Sequence, residues 1–294
     1  MELFGISSQA LFGQLLLGLI NGSFYAVLSL GLAVIFGLLN IFNFSHGALY
    51  MVGAFVAWLG LEHLGLNYWA ALLVAPLVVG LLGIVIERLL LQHLYKLDHL
   101  YGLLLTFGLA LIAEGVFRNL YGSSGQSYPV PEVLQGGVDL GFMFMPLYRG
   151  WVVVAALSVC AITWYLIERT RLGATLRAAT ERPPLVQALG INVPVLVTMT
   201  YGAGVALAAF AGVLAAPVVQ VSPLMGSNLI IVVFAVVVIG GMGSILGSIV
   251  TGLGLGLIEG LTKVVYPEAS AVVIFVIMVV VLLLRPAGLF GKQA

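Results

Sequence analysis

Charge is scarce in this chain: eleven Lys and Arg and eleven Asp and Glu among 294 residues, 7% of the total, with no net charge. A water-soluble domain of this length needs a far larger charged complement to dress its surface, so that class is excluded. The even balance of signs and a pI near 6.9 provide no basic face for nucleic acid, and no such partner is expected. Cysteine is almost missing as well. Cys160 stands alone, which rules out an internal disulfide and a cysteine-based metal cluster. Gly288-Leu-Phe-Gly-Lys292 has neither the glycine spacing of a Walker A loop nor the following Ser or Thr, so nucleotide hydrolysis by that route is excluded. There is no His-Glu-x-x-His zinc pattern, and His46, His63, His93 and His99 are scattered, the last two in a polar loop where they read as solvated. No catalytic, cofactor-binding or metal-binding set is expected.

What fills the chain instead is apolar: 62% hydrophobic residues and a mean hydropathy of +1.20. Uncharged runs such as Ala10 to Ile41 and Trp69 to Ile86 reach the roughly 20 residues that cross a hydrocarbon core about 30 Å thick. In lipid the backbone must bond within its own segment or close into a barrel, and the polar alternation of a barrel is absent. The fold expected is therefore all-α, a polytopic transmembrane bundle of about eight to nine spans in a single domain, 1–294. The segments are Leu11 to Leu39, Gly47 to Leu61, Trp69 to Ile86, Tyr101 to Leu120, Gly150 to Ile167, Val195 to Pro217, Leu229 to Ile239, Ile245 to Leu261 and Ser270 to Leu284. Met1 to Gln9 carries Glu2 and no basic residue, so no signal peptide is expected and the first apolar run is retained.

Sidedness follows from Lys and Arg, which concentrate in cytoplasmic loops. The loop Glu168 to Asn192 holds Arg169, Arg171, Arg177 and Arg182 with Glu168 and Glu181, a large share of the few charges, and goes inside. Threading outward places Glu87 to His99 and the tail with Arg285 and Lys292 inside. The N-terminus and the loop Tyr121 to Arg149, with Glu132 and Asp139, go outside. Arg118, Arg149 and Lys263 are exceptions to the charge rule.

Two segments fall short of the bilayer. At 1.5 Å per residue Gly47 to Leu61 covers about 22 Å and Leu229 to Ile239 about 16 Å, so the polar stretches beside them are expected to dip into the membrane. These stretches are Asn40-Ile-Phe-Asn-Phe-Ser-His-Gly47 and Gly240-Gly-Met-Gly-Ser244, each followed by a Gly-rich helix, an outside turn and a final inward helix. The pattern is a weak internal repeat of interrupted helices, and paired interruptions point to a transport pathway. The pathway candidates are Asn40, Asn43, Ser45, His46 and Gly47, with Gly240, Gly241, Gly243 and Ser244.

Ser45 beside His46 invites a nucleophile-and-base reading, but no carboxylate lies nearby in sequence to orient the imidazole. Two readings stay open: Ser45 as the N-cap of the helix beginning near His46, or Asn43, Ser45 and His46 offering hydrogen bonds to a passing solute. Glu114 with Arg118, and Glu259 with Lys263, are spaced to pair along one helix face, a structural role favoured over proton relay. The 37 glycines, as at Gly202 and Gly204 or Gly252, Gly254, Gly256 and Gly260, read mainly as sites of tight helix packing.

The cytoplasmic loop 168–192 has its own grammar. Arg169 to Ala178 forms a short helix, Pro183 and Pro184 stop it, and Leu185 to Leu189 makes a second turn ended by Gly190. Two short helices at right angles to the spans are expected, with Leu176, Leu185, Val186 and Leu189 presenting apolar surface inside a basic rim for docking into a groove on another protein.

Several of these stretches together resemble one family. Asn21-Gly-Ser-Phe-Tyr-Ala26, Phe36-Gly-Leu-Leu-Asn-Ile-Phe-Asn-Phe-Ser-His-Gly-Ala-Leu-Tyr-Met51, the Gly173/Arg177-Ala178/Gly190-Ile191-Asn192 loop, Gly240-Gly-Met-Gly-Ser244 and Arg285-Pro-Ala-Gly-Leu-Phe-Gly291 occur in order over nearly the whole chain. They resemble the LivH-type permeases, the membrane subunits of branched-chain amino acid ABC importers. The resemblance implies a bacterial inner-membrane permease that is not itself an enzyme and moves branched-chain amino acids. Its partners would be a second, LivM-like permease, two cytoplasmic ATPases and a periplasmic binding protein. Loop 168–192 would be the coupling element, carried by Arg171, Gly173, Arg177, Ala178, Leu185, Leu189, Gly190 and Ile191. Ser45 stands where the family pattern has alanine, and Pro183-Pro184 is unusual in it. The added hydroxyl leaves urea and short amides open as solutes, and a gradient-driven secondary transporter is the reading from a different class.

Overall fold

Helices appear where the apolar segments run, and a computed structural model of the chain describes residues 2–3, 6–39, 42–95 and 97–291. They are α1 (Ser8–Leu39), α2 (Ser45–Leu64), α3 (Tyr68–Leu89), α4 (His99–Tyr121), α5 (Leu147–Arg169), α6 (Arg171–Glu181), α7 (Pro183–Ala188), α8 (Val193–Ala215), α9 (Met225–Gly240), α10 (Ile245–Val265) and α11 (Val273–Leu284). Among the described residues, strand is limited to Glu2–Leu3 with Ile6–Ser7, the hairpin Gly137–Asp139 with Phe144–Pro146, and a bridge between Gln126 and Val221. Seven described helices are long and apolar enough to cross a membrane, with α9 and α11 shorter. The chain is a polytopic helical bundle and a multi-pass membrane protein.

All nine expected segments are present, but one length needs correction. Gly47 to Leu61 is not a short piece: α2 runs Ser45–Leu64, 20 residues and about 30 Å, as long as the hydrocarbon core is thick. Counting apolar residues omitted Ser45, His46, Glu62 and His63, which the helix keeps because the first two find partners in the protein and the last two lie at its exposed end. Gly65 then ends it in the left-handed region, φ 62°, its N–H and that of Leu66 closing onto Leu61 and Gly60. By contrast α9 remains short at 16 residues, about 24 Å, and α11 is shorter still at 12, about 18 Å. The order of helix, break, helix, turn and helix is shared by α1–α3 and α9–α11, which is the expected internal repeat in element order.

Helix starts are capped by side chains at the positions where the chain must turn. Asn67 accepts from the Ala70 amide at 2.8 Å, Asp98 from Leu100 at 2.9 Å, Asn192 from Val195 at 3.2 Å and Ser244 from Gly247 at 3.1 Å. Each pairs an amide that the helix itself leaves without a partner.

The chain divides into two compact units. One comprises Met1–Ser29, Pro129–Cys160 and Val232–Ala294. In it, α1 and α10 touch backbone to backbone: a Cβ on Gly256 would lie 2.4 Å from the Gly18 carbonyl oxygen and 2.4 Å from Gly22 Cα. The other comprises Leu30–Tyr128 and Ala161–Ile231. There α8 packs along α2 and α3: a Cβ on Gly212 would lie 2.1 Å from the Tyr50 carbonyl, and one on Gly53 2.4 Å from Ala209 Cα. In lipid no hydrophobic drive separates helix from solvent, so this close approach, with its dispersion contacts, is what holds helix pairs together. On α4 the apolar side chains Leu100, Leu104, Ile112, Val116 and Leu120 are exposed, as suits a helix with one side toward hydrocarbon.

Two glycines two residues apart on α10 make this testable. Gly256→Ala drives a methyl into the α1 backbone and is expected to destabilise by about 1–3 kcal/mol, seen as a lower unfolding midpoint in detergent. Gly254, with nothing within 4 Å of its added Cβ, is expected to accept alanine with no loss.

Candidate functional site

The first interruption follows α1. Asn40, one of the pathway candidates, lies outside the described residues; Asn43, Ser45 and His46 are 1%, 2% and 0% exposed. Ser45 is not an N-cap, which corrects one of the two expectations. Phe44 occupies that position without a side-chain bond, and the Ser45 hydroxyl instead donates to Asn43 Oδ1 at 2.5 Å. Asn43 Nδ2 in turn donates to the Tyr201 hydroxyl on α8 at 3.1 Å. The His46 ring packs where a Cβ on Gly31 of α1 would fall 3.0 Å from its Cε1. Ser45 therefore points to an amide and not to the imidazole, and no nucleophile-base pair is assembled.

Thr106, on α4, closes the break. Its hydroxyl accepts from the Phe44 N–H at 3.1 Å and lies 3.1 Å from both the Phe42 and Leu103 carbonyls, to which it can donate. Irregular backbone buried in a bilayer needs such a partner, and a fully buried threonine supplies both donor and acceptor.

The second interruption is closed by the chain's own C-terminal motif. Gly241 and Gly243 have φ of 100° and 83°, a region that favours glycine. The carbonyls of Ile239 and Gly240, left open where α9 stops, accept from the amides of Leu289 and Phe290 at 2.8 and 3.1 Å. A Cβ on Gly241 would lie 2.5 Å from the Gly291 nitrogen. Gly240 packs on Gly247 of α10, and Ser244 caps that helix. The motif Arg285–Gly291 thus serves as the end-cap of a broken helix, a role its sequence gave no local sign of.

The loop 168–192 folds into the expected helix pair, with two corrections. Pro183 and Pro184 open α7 at its first positions, where a missing N–H is harmless, and do not merely stop α6. Leu176 and Val186 do not present apolar surface: they are 4% and 3% exposed, and Val186 joins Ala179 and Val193 in the elbow's own core, because two helices this short have little else to fold around. Leu185 and Leu189 do face out, at 55% and 72%, joined by Leu172 at 54%, with Arg171, Arg177, Ala178 and Ile191 also exposed. Gly190 turns the chain at φ 85°. Gly173 and Arg177 bind the elbow to the end of α5. A Cβ on Gly173 would lie 1.7 Å from the Ile167 carbonyl oxygen, and the Arg177 guanidinium donates to that same oxygen at 2.9 Å and pairs with Glu168 at 3.4 Å.

Among the ionisable groups, the two expected pairs form: Arg118 to Glu114 at 3.3 Å, and Lys263 to Glu259 at 2.6 Å, the latter carboxylate also accepting from Tyr25 at 2.8 Å. Glu87 is a residue that sequence reasoning misplaced in a loop. It lies in α3 at 2% exposure and accepts from Tyr95 at 2.5 Å and from Thr198 on α8 at 2.7 Å, so these hydroxyls let the carboxylate leave water. Burial, followed by the hydrogen bond to Glu87 and its charge, holds the Tyr95 phenol well above its ordinary range, so it remains a donor at any physiological pH. Among the described residues no group of His, Cys, Asp and Glu could hold a metal ion.

An interrupted-helix membrane bundle with a helical elbow between α5 and α8 has the form of a transport protein. The chain matches, over residues 14–282, the family described as branched-chain amino acid transport system / permease component, and it belongs to that family of permeases. It is 30% identical to the high-affinity branched-chain amino acid transport system permease protein BraD of Pseudomonas aeruginosa, covering 95% of each chain. It is 29% identical to LivH of Escherichia coli strain K12, again over 95% of each. A probable branched-chain amino acid transport permease protein LivH of Methanocaldococcus jannaschii is 28% identical over 93% of this chain and 90% of its own. Among solved structures, PsaBC from Streptococcus pneumoniae in complex with Fab aligns at TM-score 0.48 and 14% identity, a likeness too distant to bear on function. The chain is a membrane permease component and not an enzyme.

Two substitutions probe the geometry. Thr106→Val keeps the shape and removes the hydroxyl to which the Phe44 amide donates, with an expected loss of about 1–3 kcal/mol read as a lower unfolding midpoint. Gly173→Ala pushes α6 off the end of α5 and is expected to speed tryptic cleavage at Arg171 and Arg177 severalfold, while the rest of the chain stays resistant.

Proposed function

We propose that this chain is the translocation-forming permease subunit of an ATP-driven importer of branched-chain, hydrophobic amino acids in a bacterial inner membrane. In this reading residues 1–294 work as a single transmembrane domain, with the N-terminus outside and the C-terminus and elbow 168–192 inside. Two cytoplasmic ATPases supply the energy, a second LivM-like permease completes the pathway, and a periplasmic binding protein delivers solute. The names of the relatives support the solute class, and the charge of the elbow supports its side.

The observation that carries the coupling role is the way the elbow is fastened. Gly173 and Arg177 hold α6 against the last carbonyls of α5, while Leu172, Leu185 and Leu189 are left uncovered. Exposed leucines on both elbow helices, with Arg171 and Arg182 exposed beside them in sequence, are suited to a groove on a soluble partner. A push on these leucines is delivered to α5 through backbone contact and to α8 through the buried Ala179, Val186 and Val193. Transport then needs a body with two states, and ATP-driven closure of the partners shifts the balance between them. The interruptions, with Asn40, Asn43, Ser45, His46 and Gly47 at one and Gly240, Gly241, Gly243 and Ser244 at the other, are the elements on which the pathway opens and shuts.

The paired change Leu185→Asp with Leu189→Asp tests the coupling role, since both side chains are exposed and the fold does not need them. Solute-stimulated ATP hydrolysis by the reconstituted complex is expected to fall at least about ten-fold, the effect of losing a docking contact worth about 1.4 kcal/mol or more. Stimulation at the unmodified level would overturn the role.

A further inference from the structure

We propose that the cavity between α2, α4 and α9 is a binding site for a zwitterionic aliphatic amino acid. Glu114 holds the ammonium group, and the first turns of α2 and α9 hold the carboxylate. The assignment rests on the transport reading above and adds to it the place of the solute and the groups that recognise it.

The cavity measures about 260 Å³, and every residue that lines it belongs to the unit Leu30–Tyr128 with Ala161–Ile231. Its walls are apolar, formed by Phe44, Met51, Phe107, Leu111, Ile230 and Ile231. Two polar side chains reach it, Glu114 and Ser227, together with the glycine backbone of Gly47 and Gly226. A small site with apolar walls and few, placed polar groups is the usual form of a small-molecule pocket.

Glu114 lies deep. It stands seven residues before the end of the 23-residue α4, about 10 Å along the axis from that end, in a helix about 34 Å long. Oε1 is paired with Arg118 at 3.3 Å and Oε2 accepts from Ser227 at 2.5 Å. A carboxylate takes about four hydrogen bonds, so each oxygen has further capacity. Arg118 sits a turn nearer the helix end with half its side chain exposed, where solvent and headgroups screen it, so the carboxylate keeps an attraction for a second cation. An ionisable group at this depth, lining a cavity, is the mark of a pathway.

The opposite charge is met by helix ends. Phe44, just before α2, is bonded to Thr106, which lies about 10 Å along α4 from its start, so α2 begins within the thickness of the membrane. The first turn of the short helix α9 crosses the first turn of α2 in backbone contact: a Cβ on Gly226 would lie 2.1 Å from the Gly47 carbonyl oxygen. Two positive dipole ends thus converge on the cavity that Glu114 lines, and helix N-termini inside a bilayer favour anionic groups. A ligand with one cation, one anion and a branched aliphatic body satisfies all three surfaces. Urea or a short amide brings Glu114 no second cation, and a lipid chain fills the walls while facing the carboxylate with hydrocarbon.

Thiol protection in membrane vesicles carrying the complete transporter tests this. The native Cys160 is buried, so Ala110→Cys on the cavity wall provides the accessible thiol, and Ala48→Cys provides a second position. Leucine at ten times its half-saturating concentration is expected to slow labelling by a hydrophilic maleimide about ten-fold. Isovalerate and 3-methylbutylamine, each lacking one charge, and urea are expected to protect far less. Glu114→Gln in the same background is expected to abolish protection by leucine, and Glu114→Asp to keep part of it. Unchanged labelling with leucine in vesicles that take up leucine on ATP would overturn the site. Equal protection by isovalerate, full protection in Glu114→Gln, or labelling by lipophilic reagents alone would do the same and leave an apolar crevice. Vesicles holding every subunit that import no hydrophobic amino acid on ATP would instead overturn the transport reading beneath it.

Discussion

Backbone amides and carbonyls buried in a bilayer must be paired within the protein, and the rest of this structure is arranged around that requirement. Unbroken helices meet it by themselves. The two interruptions do not, and at each one a distant piece of chain supplies the missing partners. Thr106 serves Phe42 and Phe44 at the first, and the amides of Leu289 and Phe290 serve Ile239 and Gly240 at the second. A permease needs irregular backbone at depth if a solute is to find polar groups there, and these closures are what make it tolerable. They also set the direction of the helix that follows each break, because Ser244 caps α10 and Asn43 anchors the start of α2 to Tyr201.

Close packing is the second consequence. With little hydrophobic drive between helices in lipid, α8 holds α2 and α3 through small residues, as at Gly53 with Ala209 and Gly212 with Tyr50. Contacts this tight do not deform gradually, which favours movement of whole helices between discrete arrangements. The elbow suits such movement, since α6 is tied to the last turn of α5 and its small core continues into α8 at Val193, Leu196 and Val197. A force applied to α6 and α7 therefore has two spans to act on.

Much of this was legible in the residues. Among the described residues the nine apolar segments are nine helices in the expected order, since hydrophobic runs and Gly or Pro punctuation are local signals. The elbow's helix-break-helix form, the turn at Gly190 and the pairing of Glu114 with Arg118 followed from spacing alone. Apart from the length of α2 and the place of Pro183 and Pro184, the errors are of one kind. Ser45 was read as a possible cap, Leu176 and Val186 as docking surface, and Glu87 as a loop residue; each was wrong about what the side chain faces.

Composition and periodicity thus settled by themselves that the chain spans a membrane, in what order its helices run, where two of them stop and which loop gathers the arginines, because those properties depend on neighbours a few residues away. Tertiary structure alone decided which polar groups are buried and with whom. Asn43 meets Tyr201 across 158 residues, Glu87 meets Thr198 across 111, and Glu114 meets Ser227 across 113. Such pairings depend on which helices pack together, and a hydroxyl or carboxylate bears no mark of that until the backbones have met.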